Sequence, residues 1–259
     1  MKKSYFSVLL IFIVLAGWNV FQDNWLSEKH KCYTMFYKKP DEINQKEYSE
    51  FMDKGIKAVQ FFFSDKFKHK FDVHVHPNRQ SLDSQWQKDW KMPEFKSECW
   101  MVASGVGDKL DIISPKSWDK ESCEHSYADK LKTQQLITHE LFHVYHGQYN
   151  ASSDFSNAEK IDWFVEGLAT FASGQCDSLK IAEVKKAIRD NKFPKSLNDF
   201  WKGKLRYGMS GSMAMFIDSK YGRTKLKNLL PFDTKPAILN ALGTTEEVLL
   251  TEWKNFLEK

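Results

Sequence analysis

Alternation and helical spacing of apolar residues divide the chain into a strand-bearing first half and a helical second half. Residues 41–66, DEINQKEYSEFMDKGIKAVQFFFSDK, open on acidic residues and carry Ile43, Phe51, Ile56, Val59 and Phe63, the spacing of a helix packed on one face. At 71–76 the period becomes two. Phe71, Val73 and Val75 alternate with Asp72, His74 and His76 up to Pro77, which predicts a strand with both histidines on a solvated face. The polar, tryptophan-bearing stretch 78–98 predicts a long connection with at most one short helix. CWMVASG and KLDIISP, either side of VGD, predict a hairpin whose second strand stops at Pro115. Together with 71–76 these strands make a small, mostly antiparallel sheet.

From about residue 128 the spacing is helical, over 128–147, 157–173, 178–190, 207–221, 223–230, 234–241 and 244–257. Gly147, Gly174 and Gly222 stand where helix-ending glycines are expected. The fold class that follows is α+β, a small sheet and then a helical bundle. One domain is expected over 27–259, sheet-rich to about 126 and helical from about 127.

Ahead of it, MKKSYFSVLLIFIVLAGWNVF has two lysines and then an apolar run from Tyr5 to Ala16 that can be extended through Phe21. This predicts export, with residues 1–26 a cleaved signal peptide or an anchor through residues 5–21. The protein would then be periplasmic, secreted or membrane-anchored. Four cysteines, Cys32, Cys99, Cys123 and Cys176, without a CxxC pair, favour disulfides in such a compartment over a thiolate metal site. Three pairings are open; the expected one joins Cys99 to Cys123, which flank a compact segment, and Cys32 to Cys176.

Composition narrows the function classes. With 42% hydrophobic and 15% aromatic residues in 259, the chain can bury a sizeable core. Its 38 basic and 34 acidic residues are well mixed, so no clustered patch suits a nucleic acid.

The chemistry concentrates in THELFHVYHG, residues 138–147. Four residues turn a helix by about 400°, so His139 and His143 share a face about 6 Å apart along the axis, with Glu140 beside them. In a His-Glu-x-x-His helix the histidines hold zinc and the Glu takes a proton from water. Leu136, Ile137, Leu141, Phe142 and Val144 pack this helix into a core, where two imidazoles need partners. A catalytic zinc takes three protein ligands. A third His ten positions after the first is excluded, because position 149 is Tyr149. Glu166, among Trp163, Phe164, Leu168 and Phe171, is the candidate, and Gly167 next to it admits a closely packed backbone. His146 lies on the same stripe, as a pocket wall or as a cation at the helix C-terminus. Asp162 and Thr170 flank Glu166 by one turn.

HELFH, with the Glu of WFVEGLA 23 residues after its second His, resembles the gluzincin, thermolysin-like metallopeptidases. YGMSGSMAMFIDSKYGRTKLKNLL and ALGTTEEVLLTEWKNFL resemble the C-terminal helices of bacterial peptidase-MA-like domains, and GDKLDIISP their strand above the active site. The likeness spans roughly 42–257 and is strongest at 135–175. It implies a zincin-like fold and one Zn2+ per chain on His139, His143 and Glu166. Glu140 would be general base and acid, and Tyr207 the donor to the oxyanion. A peptide or protein substrate would lie along the strand near 109–113. The implied function is zinc-dependent hydrolysis of a peptide bond in an exported substrate. A catalytically silent peptide-binding module is the alternative, against which the intact Glu140 argues. A structural envelope protein would leave both the histidine motif and Glu166 as accidents.

Overall fold

The computed structural model describes residues 24–258. Five strands, β1 (Leu26–Lys29), β2 (Tyr33–Tyr37), β3 (Phe71–His76), β4 (Ala103–Val106) and β5 (Lys109–Ile113), form one sheet in the order β1-β2-β3-β5-β4. The sheet is mixed, not mostly antiparallel. β2 and β5 both run parallel to β3, and only the outer pairs β1–β2 and β5–β4 are antiparallel. Connection length explains this: α1 (Gln45–Phe63) carries the chain from β2 to β3, and α2 (Arg79–Asp89) lies between β3 and the hairpin. Crossovers of that length produce parallel neighbours, whereas tight turns produce antiparallel ones.

β1 and β2 lie outside the predicted elements, and they change the surroundings of β3. With strands on both sides, β3 is interior. Side chains from β5 and α2 cover the histidine face: His76 is 1% exposed, with Nε2 3.2 Å from Asp111 Oδ1 and Nδ1 3.0 Å from Ser81 Oγ. His74 Nδ1 lies 3.5 Å from the same carboxylate oxygen, and the Trp25 ring stands edge-on over both imidazoles.

α1 buries Phe51, Ile56, Val59 and Phe63 as its spacing requires, but Ile43 precedes the helix and is 88% exposed. The expected connection at 78–98 contains the eleven-residue α2, started by the Asn78 side chain accepting from Ser81 N–H and buried through Leu82 and Trp86. Arg79 then gathers the loop beyond it, donating to the carbonyls of Glu98, Cys99, Met101 and Glu121. The Cys99–Cys123 disulfide ties the same loop, with its Cα atoms 5.5 Å apart.

Cys32 and Cys176 are not joined, contrary to the expected second bridge. The Cys32 carbonyl accepts from Phe71 N–H at the sheet, whereas the Cys176 sulfur packs at Gly211 in the helical half.

The helical half contains α3 (Trp118–Glu121), α4 (Lys130–Tyr149), α5 (Asp162–Ala172), α6 (Ser178–Arg189), α7 (Arg206–Tyr221), α8 (Arg223–Asn228), α9 (Lys235–Leu242) and α10 (Glu246–Glu258). α4 is the central rod, packed on α1, on the β4–β5 hairpin and on α5, and α5 lies along α7. α5 begins later than its spacing predicts, because the Glu159 backbone pairs with Asp233 and Lys235 at the start of α9 and Lys160 takes a positive φ. Gly174 and Gly222 do follow helices with positive φ. Gly147 does not end α4; it marks a crossing, where an added Cβ would stand 2.5 Å from the Gly107 nitrogen.

Residues 1–23 of the expected signal peptide or anchor lie outside the described residues, but its expected end at residue 26 overlaps the folded domain, where Trp25 packs on His74 and His76 and Leu26 opens β1. Among those described, no helix is long and apolar enough to cross a membrane.

Candidate metal centre

α4 presents His139, Glu140 and His143 from its buried middle. The two imidazoles are 6% and 7% exposed and meet with Nε2 atoms 2.9 Å apart. α5 supplies the third group. Glu166 Oε2 lies 3.3 Å from His139 Nε2 and 3.5 Å from His143 Nε2, its side chain 27% exposed. One ligand atom from each residue falls within 4.8 Å of the others, an arrangement able to hold a metal ion.

The donor set can be tested against zinc. Bonds of about 2.0–2.1 Å at tetrahedral angles separate ligand atoms by about 3.3 Å. The two carboxylate–imidazole distances match, and the imidazole pair is closer by a few tenths of an ångström. Two imidazole nitrogens and one carboxylate oxygen leave a fourth position free, the composition of a catalytic zinc site. His139 Nδ1, where an orienting acceptor is usual, is buried without a hydrogen-bond partner.

Two glycines let the elements close on this point. At Gly105 in β4, an added Cβ would be 3.1 Å from both the Glu140 carbonyl carbon and His143 Cβ. The strand can therefore press directly on α4, with the Gly105 N–H placed where it favours the charged form of the Glu140 carboxyl. At Gly167 an added Cβ would stand 2.7 Å from the Ser210 carbonyl carbon, so the backbones of α5 and α7 touch beside Glu166, as its sequence context suggests.

Charges follow from this packing. Burial pushes the Glu140 carboxyl up to about 7, with Glu166 adding repulsion and His139 and the Gly105 N–H opposing. Burial acts on Glu166 in the same direction, but His143 and His139 outweigh it and hold this carboxyl well below the usual range. The two neighbouring carboxyls are thus driven apart, one suited to exchange a proton and one to remain charged. Asp162 is raised by burial and by Glu166, and the Thr170 hydroxyl is buried without a partner.

Tyr207, the second residue of α7, is brought to the same centre. Burial, then the charge of Glu166 and to a lesser extent that of Glu140, raises its phenol to about 12 against the opposing charge and side-chain interaction of Arg206, so it is a neutral O–H donor near neutral pH. The strand at 109–113 is not the free edge. β5 is paired on both sides, by β3 and β4, and the open edge beside α4 belongs to β4.

His146 is neither a ligand nor a helix-end cation. It is 1% exposed between the rings of Phe155 and Phe164, and burial pushes its imidazole down to about 3, with His143 adding to the effect. An unfolded chain titrates such a group near 6.5. Because the folded value is depressed, the stabilising effect is full above about 6.5 and is lost as pH falls from there toward about 3. His146→Leu removes that proton uptake. In metal-free protein, its fall in melting temperature between about pH 7.5 and about pH 5 should be smaller than that of the wild type. Equal falls in calorimetry would show that His146 does not set the acid sensitivity.

The N–H of Gly105 and the side chains of Trp100, Trp201 and Arg206 near Tyr207 are absent from the sequence-derived site. SGVGD reads as turn punctuation and Arg206 as a helix start, so neither carries a local signal. Compared with known proteins, the chain matches no family model and no curated protein.

Proposed function

We propose that this chain is an exported, gluzincin-like zinc metallopeptidase with a zincin-like fold. The observation that carries the reading is the convergence of His139, His143 and Glu166 from two helices on one point, with Glu140 beside them. A zinc ion held by these three residues would supply Lewis acidity, polarising a peptide carbonyl and making a water acidic near neutral pH.

The chain's own groups account for the remaining chemistry. The Glu140 carboxylate takes the proton of the attacking water and returns it to the leaving amine. The Gly105 N–H beside it favours the carboxylate form that accepts the proton. The Tyr207 O–H donates to the carbonyl oxygen as negative charge develops there. The free edge of β4 accepts an extended substrate backbone as an added strand, which aligns the peptide beside α4. The Cys99–Cys123 disulfide and the apolar N-terminal stretch both suit an oxidising compartment outside the cytoplasm.

Metal content tests the reading. Elemental analysis of purified protein is expected to give one zinc per chain for the wild type and far less for Glu166→Ala. Absence of zinc in metal-replete wild type would remove the peptidase reading.

A further inference from the structure

Arg206 stands beside the proposed catalytic centre with no counter-charge. Its guanidinium carbon lies 4.6 Å from the ring centroid of Trp100, 5.2 Å from that of Tyr207 and 5.4 Å from that of Trp201. Trp100 belongs to the disulfide-tied loop ahead of β4, whereas Trp201 and Tyr207 belong to the helical half. The cation is therefore framed by rings from both walls. Other arginines are satisfied differently: Arg223 makes a two-point pair with Asp218, and Arg79 is bound to backbone carbonyls and the Ser97 hydroxyl. Arg206 forms no ion pair among the described residues; its polar interaction is with the neutral Tyr207 side chain, and its Nε is buried with no hydrogen-bond partner.

A partly buried guanidinium without an anion retains much of its desolvation cost, which aromatic faces offset only in part. A carboxylate fits the missing role, because the guanidinium fork matches its two oxygens. The position of the cation gives that carboxylate an origin. Tyr207, adjacent to Arg206, stands about one turn of α7 before Ser210, the residue that the α5 backbone touches at Gly167 beside Glu166, so a ligand at Arg206 lies next to a peptide held at the centre.

We propose that Arg206, framed by Trp100, Trp201 and Tyr207, is a carboxylate-recognition site in the substrate cleft. Peptides carrying a carboxylate close to the scissile bond are then the preferred ligands, through either an acidic side chain or a free C-terminus. This specificity rests on the peptidase reading, but the binding site is measurable without turnover.

The test is a tryptophan-fluorescence titration, since Trp100 and Trp201 border the cation. The protein is Glu140→Gln, so that the peptides stay intact. The probes are four short, N-acetylated alanine-based peptides: a C-terminal amide, the corresponding free acid, an amide with an internal Glu, and an amide with an internal Lys. At least one carboxylate peptide is expected to bind tenfold or more tightly than the neutral amide, and the Lys peptide more weakly. The tighter arm identifies the carboxylate as side chain or terminus. Adding Arg206→Met should abolish the preference while leaving neutral-peptide affinity within about twofold, and Arg206→Lys should restore part of it. Equal affinities across the panel with Arg206 present, or a preference that survives Arg206→Met, would overturn the proposal. Zinc content of the same samples separates the two readings. A carboxylate preference without zinc removes the peptidase and keeps the site; zinc without a preference removes only the site.

Discussion

Glu140→Gln is expected to lower peptide hydrolysis by about 10²- to 10⁴-fold while leaving zinc content and melting temperature close to wild type. The amide is nearly isosteric with the carboxylate and still presents an oxygen toward the Gly105 N–H. It also removes a charge from a buried position, which costs the fold little. It cannot take a proton from water or return one to an amine. His139, His143 and Glu166 are untouched, so the metal site should be retained. Single-turnover cleavage of a peptide library, with zinc measured on the same protein, separates the outcomes. Activity within tenfold of wild type would remove Glu140 from the mechanism, and loss of zinc would make its role structural.

Gly167→Ala should be among the most damaging single-methyl changes in the chain. The new Cβ would stand 2.7 Å from the Ser210 carbonyl carbon and closer still to its oxygen. Those atoms belong to the backbone of α7, so no side-chain rotation relieves the overlap. α5 and α7 must separate, at a cost of about 1–3 kcal/mol. For a chain of this length that corresponds to a fall in melting temperature of several degrees, roughly 2–4 °C per kcal/mol. The shift of α5 also displaces Glu166 relative to His139 and His143 on α4, so zinc affinity should drop with stability. Thermal unfolding followed by circular dichroism checks this; a midpoint within about 1 °C of wild type would show that the two backbones have room to part.

The site was legible where its determinants are local. His139 and His143 share a face of α4 because four residues make slightly more than one turn, a relation that no tertiary contact alters. Glu166 stood out because a carboxyl among Trp163, Phe164, Leu168 and Phe171 needs a partner, and the structure places that partner in the two imidazoles. Apart from the late start of α5, the helices from α4 onward lie close to their predicted spans because each has an apolar face repeating within the segment. Strand β3 matches its period-two run in full.

Other features depend on residues far apart in the chain. His74 and His76 alternate with apolar residues as on a solvated face, yet Trp25, Ser81 and Asp111 cover or bind them. β5 resembles a substrate strand in sequence, but the sheet order puts β4 at the edge, and edge position is a property of pairing. Gly147 resembles a helix stop until the β4–β5 turn is seen to cross it. Cys32 and Cys176 had the right number but not the right place. Arg206 had no local mark, because its surroundings come from a loop about a hundred residues earlier. The amino-acid sequence by itself determined the period of each element and the one helix face bearing two imidazoles and a carboxyl, since neighbours within a turn set these. Tertiary structure decided which strand is the edge, which histidines are buried and which cation has no partner, since burial and pairing are set by contacts that close only when distant segments meet.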